Sequence, residues 1–250
     1  MNHSTKAALA ATAALGVAGL ASASSVTASL SGYDIRMFDV SITAGPFEGT
    51  PGAGTLEFTV DDAGGLPLGT DMVAFCIELG EGNLLNNPGV TFTPFQGEDI
   101  ANNGLPNPGS AAPELTTSHV AALSWLFDNH FQAAKDGGLD GWAFQLAIWE
   151  IVYETESTFS VTQDDGDFWA ADPNGNSSGD QVDAIDRANS WFSSASFADI
   201  TSWDINDDLL LLSNDGVQDI VTLIPLPAPV FMGLAGLAGA IVARRRLRQA

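Results

Sequence analysis

Residues 139–155 restrict the fold of this chain more than any other stretch. Apolar side chains run round almost the whole helical circumference there, so the helix they form has to be wrapped by the rest of the protein. At about 100° per residue, Trp142, Ile148, Trp149 and Val152 project within about 60° of Gln145. Glu150 and Glu154 point the opposite way, and the wheel assigns them the wet face. Gln145 therefore sits in the middle of an apolar surface, where an unpaired carboxamide costs about 1–3 kcal/mol. It needs a partner.

The segments on either side say what does the wrapping. From Ser25 to Phe95 the pattern is β. Residues 33–43 alternate, with Ile35, Met37 or Phe38, Val40 and Ile42 on one face, and 54–60, 72–79 and 90–95 follow as strands between Gly/Pro/Asp turns. Thr116, Thr117 and Ser118 supply a helix N-cap, after which Val120, Leu123, Phe127 and Phe131 recur at helical spacing. Val182, Ile185, Ala188 and Phe192 mark a third, amphipathic helix. Strands 209–212 and 217–223 flank Ser213-Asn214-Asp215-Gly216, a hairpin signal. Strands, then helices, then a closing hairpin predict an α+β fold: a β-sandwich or barrel-like framework with an inserted helical subdomain.

The two ends carry a different message. Lys6, an apolar run over 7–20 and the small-x-small Ala21-Ser22-Ala23 have the layout of a secretory signal peptide over 1–23. Near the other end, Ile224 leads into Pro225, Leu226, Pro227, Ala228 and Pro229, where proline breaks any strand. A short apolar Gly/Ala run over 230–243 and a basic cluster, Arg244, Arg245, Arg246 and Arg248, complete the segment 224–250. That order predicts a short transmembrane helix with the arginines cytoplasmic and the body, 24–223, exported. An ordinary single-span tail anchor has the same plan. The body holds 31 acidic residues against Arg36, Lys135 and Arg187, about −28 formal charges. Such a charge repels nucleic acid and anionic membrane; divalent cations are the one ligand class it invites.

Cys76 is the sole cysteine, so an exported body has no internal disulfide. It stands in Phe75-Cys76-Ile77-Glu78, and alternation turns it away from the face shared by Phe75 and Ile77. A buried free cysteine behaving as a small hydrophobe is one reading. For Gln145, hydrogen bonding to backbone groups of a neighbouring loop is the corresponding plain reading.

Taken together, Phe75-Cys76-Ile77-Glu78 on a strand, the helix of Ala122-Leu123-Ser124-Trp125-Leu126-Phe127, and Gln145-Leu146-Ala147-Ile148-Trp149 on the next helix resemble the thioester domains of bacterial surface adhesins. The resemblance spans residues 33–223. It implies that Cys76 and Gln145 condense into an internal thioester, which then acylates an amine or hydroxyl on a partner polymer. Trp142, Ile148 and Trp149 would shield that bond from water. The family commonly has Thr before the glutamine; this chain has Phe144. The tail, in turn, resembles the PEP-CTERM sorting signals, closest to the VPLPA-CTERM variant with Ile224 in place of valine. That implies an exosortase-type processing enzyme acting near Pro225–Ala228, and delivery to the cell surface or extracellular matrix of a Gram-negative bacterium.

Other chemistry has thinner support. A cysteine hydrolase needs a histidine base, and the body offers His119 at a helix start and His130 near a helix end, positions suited to capping or exposure. The loop from Asp172 through Asn174, Asn176, Ser178 and Asp180 to Asp183 has EF-hand-like oxygen spacing, but Ser177 replaces the turn glycine and Asp183 the bidentate glutamate. A polar loop capping the third helix is the expectation there. No catalytic residue, metal site or cofactor is assigned.

Overall fold

The computed structural model describes residues 25–42, 47–80, 88–101, 103 and 113–224. The expected signal peptide over 1–23, the Pro225, Leu226, Pro227, Ala228 motif, the apolar run and the terminal arginines lie outside these residues. No helix among the described residues is long and apolar enough to cross a membrane.

In chain order the elements are β1 (Val26–Met37), β2 (Asp39–Ile42), β3 (Glu48–Gly49), β4 (Gly52–Asp62), β5 (Asp71–Cys76), β6 (Val90–Gln96), α1 (Thr117–Ala134), α2 (Gly138–Tyr153), β7 (Phe168–Ala171), α3 (Asp180–Phe192), α4 (Phe197–Thr201), β8 (Leu209–Ser213) and β9 (Ile220–Leu223). Six strands close into an antiparallel barrel in the order β1-β4-β5-β9-β8-β6, which leaves no barrel edge open to pairing. β3, β2 and β7 form a separate three-stranded sheet. Among the described residues four α-helices lie between β6 and β8 in the chain, so the fold is mixed α/β with these helices set into a β framework.

Several sequence expectations change in detail. The alternation predicted over 33–43 is split: β1 starts at Val26 and stops at Met37, which is exposed, while Phe38, Val40 and Ile42 carry the buried alternation into β2. The break has a physical cause, because the Phe38 N–H leaves the barrel ladder and bonds Pro51 O at 3.1 Å. The strand predicted over 72–79 ends at Cys76, and the last strand begins at Ile220 rather than Val217. β7 and α4 carry no period long enough to have been read.

α1 begins with a reciprocal cap. Thr116 Oγ1 accepts the His119 N–H, and His119 Nδ1 accepts the Thr116 N–H. Its inner face places Phe127 and Phe131 against Phe144 of α2 and Phe75 of β5. Phe75 and Phe144 have ring centroids 4.6 Å apart, Phe127 and Phe144 4.9 Å, and Phe127 and Phe131 5.3 Å. Such pairs add about 0.5–1.5 kcal/mol each beyond the area they bury. Close approach of α2 depends on Gly141, where a Cβ would stand 3.1 Å from both Ala134 O and Thr55 Cγ2. The turn into α2 needs Gly137 at φ +80°, which lets Asp34 Oδ2 reach the Gly138 N–H at 2.6 Å.

The wheel's assignment of Glu150 and Glu154 to solvent is wrong: both are buried. The chain after α2 folds back over that face. Glu150 Oε1 accepts the Ser160 N–H at 2.6 Å, while the Glu154 carboxylate accepts the Glu156 and Asp167 N–H groups at 2.6 and 2.9 Å. A wheel describes one helix and carries no information about the loop that covers it.

Candidate functional site

β5 hands its ladder from a strand to a side chain. Its pairing with β4 runs as far as Ala74 opposite Leu56, while Phe75 and Cys76 face Val221 and Ile220 of β9 on the other side. In an antiparallel ladder the N–H and C=O of one residue point toward the same neighbour. For Cys76 that neighbour is Gln145. Gln145 Oε1 accepts the Cys76 N–H at 2.8 Å, and Gln145 Nε2 donates to Cys76 O at 2.7 Å. The carboxamide thus replaces a peptide group of the missing strand, and both residues are buried, Gln145 to 1% exposure and Cys76 to 7%. The plain reading of Gln145, a backbone partner, is realised on the backbone of the cysteine itself.

The neighbouring residues explain why the two meet. Phe144 and Phe75, each one position earlier, meet in the aromatic core with their rings tilted by 48°, so a hydrophobic pair seats the polar pair beside it. Phe144, where the adhesin pattern has Thr, is here a docking residue of α2. Further along, the Tyr153 hydroxyl accepts the Leu79 N–H at 2.7 Å, giving α2 a second grip on the chain leaving β5.

The thiol faces a different set of groups. Cys76 Sγ donates to Gln218 Oε1 at 3.3 Å, and Gln218 Nε2 donates to Glu78 O at 3.0 Å. Glu78 Oε1 accepts the Asp219 N–H at 3.0 Å, and Asp219 O accepts the Ile77 N–H at 3.0 Å. Alternation was expected to turn Cys76 from the apolar face. Both sides of the strand end are instead covered, one by the core and the other by the β8–β9 loop. Burial, reinforced by the Glu78 carboxylate, pushes the Cys76 thiol up to about 12. A free thiol here stays protonated at neutral pH.

Of the expected shielding residues, Ile148 and Trp149 are fully buried, Trp149 lying 6.4 Å from the Phe168 ring. Trp142 is half-buried: the Arg36 guanidinium lies 4.7 Å above its ring, and its Nε1 donates to Asp34 Oδ1 at 3.4 Å. Among the described residues no histidine partners Cys76. His119 closes the α1 cap, and His130 stacks on Trp191 at 4.4 Å, held by burial below the usual histidine range. The 172–183 loop folds on itself, with Asp172 Oδ1 accepting from Asn174 N at 2.7 Å and Asn176 Nδ2 at 3.2 Å. It does not cap α3, whose N-cap is Gly179 with no side-chain bond. Among the described residues no group of three His, Cys, Asp or Glu side chains is placed to hold a metal. A cavity of about 520 Å³ opens at the other end of β5, lined by Met72, Val73, Phe127, Phe131, Asp208 and Leu223 among others; neither Cys76 nor Gln145 lines it.

Gln218 and Tyr153 complete the site without having been singled out from sequence. Gln218 falls inside the strand expected over 217–223 and lies in the β8–β9 loop only because β9 begins at Ile220, and Tyr153 reads as one more apolar residue of a buried helix. Compared with protein-family models, curated proteins and solved structures, the chain matches none.

Proposed function

We propose that this is an exported surface or matrix protein whose barrel-and-helix domain forms an internal Cys76–Gln145 thioester for covalent adhesion. The double hydrogen bond between the Gln145 carboxamide and the Cys76 backbone carries the proposal, because it holds an acyl donor beside the chain's sole cysteine. In bond formation Sγ attacks Gln145 Cδ, the S–Cδ bond forms, and the Cδ–Nε2 bond breaks. The thiol proton passes to the nitrogen, which leaves as ammonia. Charge developing on Oε1 meets the Cys76 N–H already bonded to it, an oxyanion donor set in place before reaction. Capture reverses the polarity. An amine or hydroxyl attacks the thioester carbonyl, the C–S bond breaks, and the nucleophile's proton returns to Cys76 sulfur. Each domain reacts once, so this is adhesion and not turnover.

The sequence pattern of the ends completes the proposal. A signal peptide over 1–23 would export the body. The 224–250 segment would hold it transiently at the inner membrane until an exosortase-type enzyme cuts near Pro225–Ala228, leaving it to meet a cell-surface or matrix polymer. Intact-mass measurement of the secreted body tests the chemistry. A thioester makes it about 17 Da lighter than its sequence mass, and methylamine adds once and frees one thiol.

A second reading is favoured by two features: both polar ends of the Gln145 amide are already satisfied, and burial keeps the thiol protonated. On that reading the protein is a non-reactive structural component of a biofilm matrix. Its full sequence mass, unchanged by methylamine, is the corresponding result.

A further inference from the structure

Among the described residues Gln218 is the side chain that hydrogen-bonds the Cys76 sulfur. Its amide has two different ends, and the structure fixes which faces Cys76: Nε2 is committed to Glu78 O at 3.0 Å, so Oε1 meets the S–H at 3.3 Å. The reversed amide would set its oxygen against the Glu78 carbonyl oxygen, two acceptors with no hydrogen between them. The loop presenting it is braced. Asn214 N–H bonds Asp219 Oδ1 at 2.8 Å, Gly216 N–H bonds Asn214 Oδ1 at 2.8 Å, and Asp219 is tied through its N–H and C=O to Glu78 and Ile77. The loop cannot withdraw Gln218 without breaking bonds to the two residues that follow Cys76.

We infer that Gln218 is a positioning residue for Cys76. It accepts the S–H hydrogen bond in a fixed direction, holds the sulfur in one rotamer, and keeps it there for the Gln145 carbonyl. The last step rests on the thioester proposal; the hold on the sulfur does not. The charged group facing the thiol is Glu78, which is itself fixed by the Asp219 N–H. The same bond works in both directions of the chemistry. Before bond formation it directs the proton away from the sulfur lone pairs, and after capture it offers the returning S–H a ready acceptor.

The test compares methylamine-treated wild type, Gln218→Met and Gln218→Glu, full-length and secreted. After methylamine Cys76 is a free thiol whether or not a thioester had formed. Labelling by an aromatic disulfide at pH 8 then reports the thiolate fraction. An S–H···O bond favours the thiol form, so removing it in Gln218→Met speeds labelling by about threefold to tenfold. Gln218→Glu keeps an acceptor and adds a negative charge, so labelling slows. A merely structural role would move both variants the same way, and that result, or no change in either, overturns the inference. In untreated protein, Gln218→Met lowers the fraction with the thioester mass. An undiminished fraction rejects the positioning role in the reaction, whereas a wild type of full mass rejects the thioester and leaves the labelling rates to decide the hold on sulfur.

Discussion

Gln145 stands to Cys76 as a strand stands to its neighbour: its amide gives one donor and one acceptor to the backbone of that residue, at 2.7 and 2.8 Å, and neither bond involves the thiol. Gln145 and Cys76 therefore separate in their contributions to stability. Gln145→Ala strands a buried N–H and a buried C=O and leaves a void, costing about 3–5 kcal/mol. Cys76→Ala removes one sulfur and keeps both backbone bonds, costing about 1 kcal/mol. Urea unfolding of the two variants measures the difference, and equal losses would mean that the amide is not bound to the backbone.

The second grip of α2 on this segment makes its own prediction. Tyr153→Phe deletes the acceptor of the Leu79 N–H and destabilises the protein by about 1–3 kcal/mol. Hydrogen exchange at Leu79 should accelerate more than exchange within β5, which keeps its ladder.

Asp34 holds the start of the helix that carries Gln145, through the Gly138 N–H at 2.6 Å and the Trp142 Nε1–H at 3.4 Å. Asp34→Ala should cost about 1 kcal/mol and Asp34→Asn, which keeps an acceptor, clearly less. Thermal unfolding at fixed pH ranks the three proteins.

Glu150 sets a pH dependence. Burial, with the Glu154, Asp165 and Asp167 carboxylates adding to it, holds its carboxyl well above the ordinary value of 4.5 against the opposing Ser160 N–H. Above pH 4.5 the unfolded chain gives up a proton that the folded chain keeps. Stability therefore falls as pH rises, by at most about 1.4 kcal/mol per pH unit, until the folded carboxyl itself ionises. Glu150→Gln retains an acceptor for Ser160 and removes this term. Its stability relative to wild type should be lowest near pH 4 and grow toward pH 7 in urea titrations, and a constant difference would contradict the assignment.

Local periodicity made part of the site legible. The apolar circumference of 139–155 placed Gln145 in the interior, where the structure has it; the run Phe75-Cys76-Ile77 placed the cysteine in a strand, but its alternation turned Cys76 from the apolar face and did not show that the other side is covered too. The partnership of Phe144 with Phe75 could not be read, because an apolar residue in a helix that is apolar on every side has no marked direction. Gln218 was invisible for another reason: it fell inside the strand expected over 217–223, and a polar residue there looks the same whether it faces water or a sulfur.

The sequence by itself determined that α2 had to be enclosed, that Gln145 had to find a polar partner, and that strands flank the helices on both sides. Those conclusions follow from the cost of leaving apolar surface wet and carboxamides unpaired, which depends on composition and period alone. Only the tertiary structure decided that the partner is the backbone of Cys76, that Glu150 and Glu154 are covered, and that Gln218 holds the thiol. Each of those contacts joins residues on separate elements, and hydrogen bonds are satisfied by distance and direction in space, which no local repeat encodes.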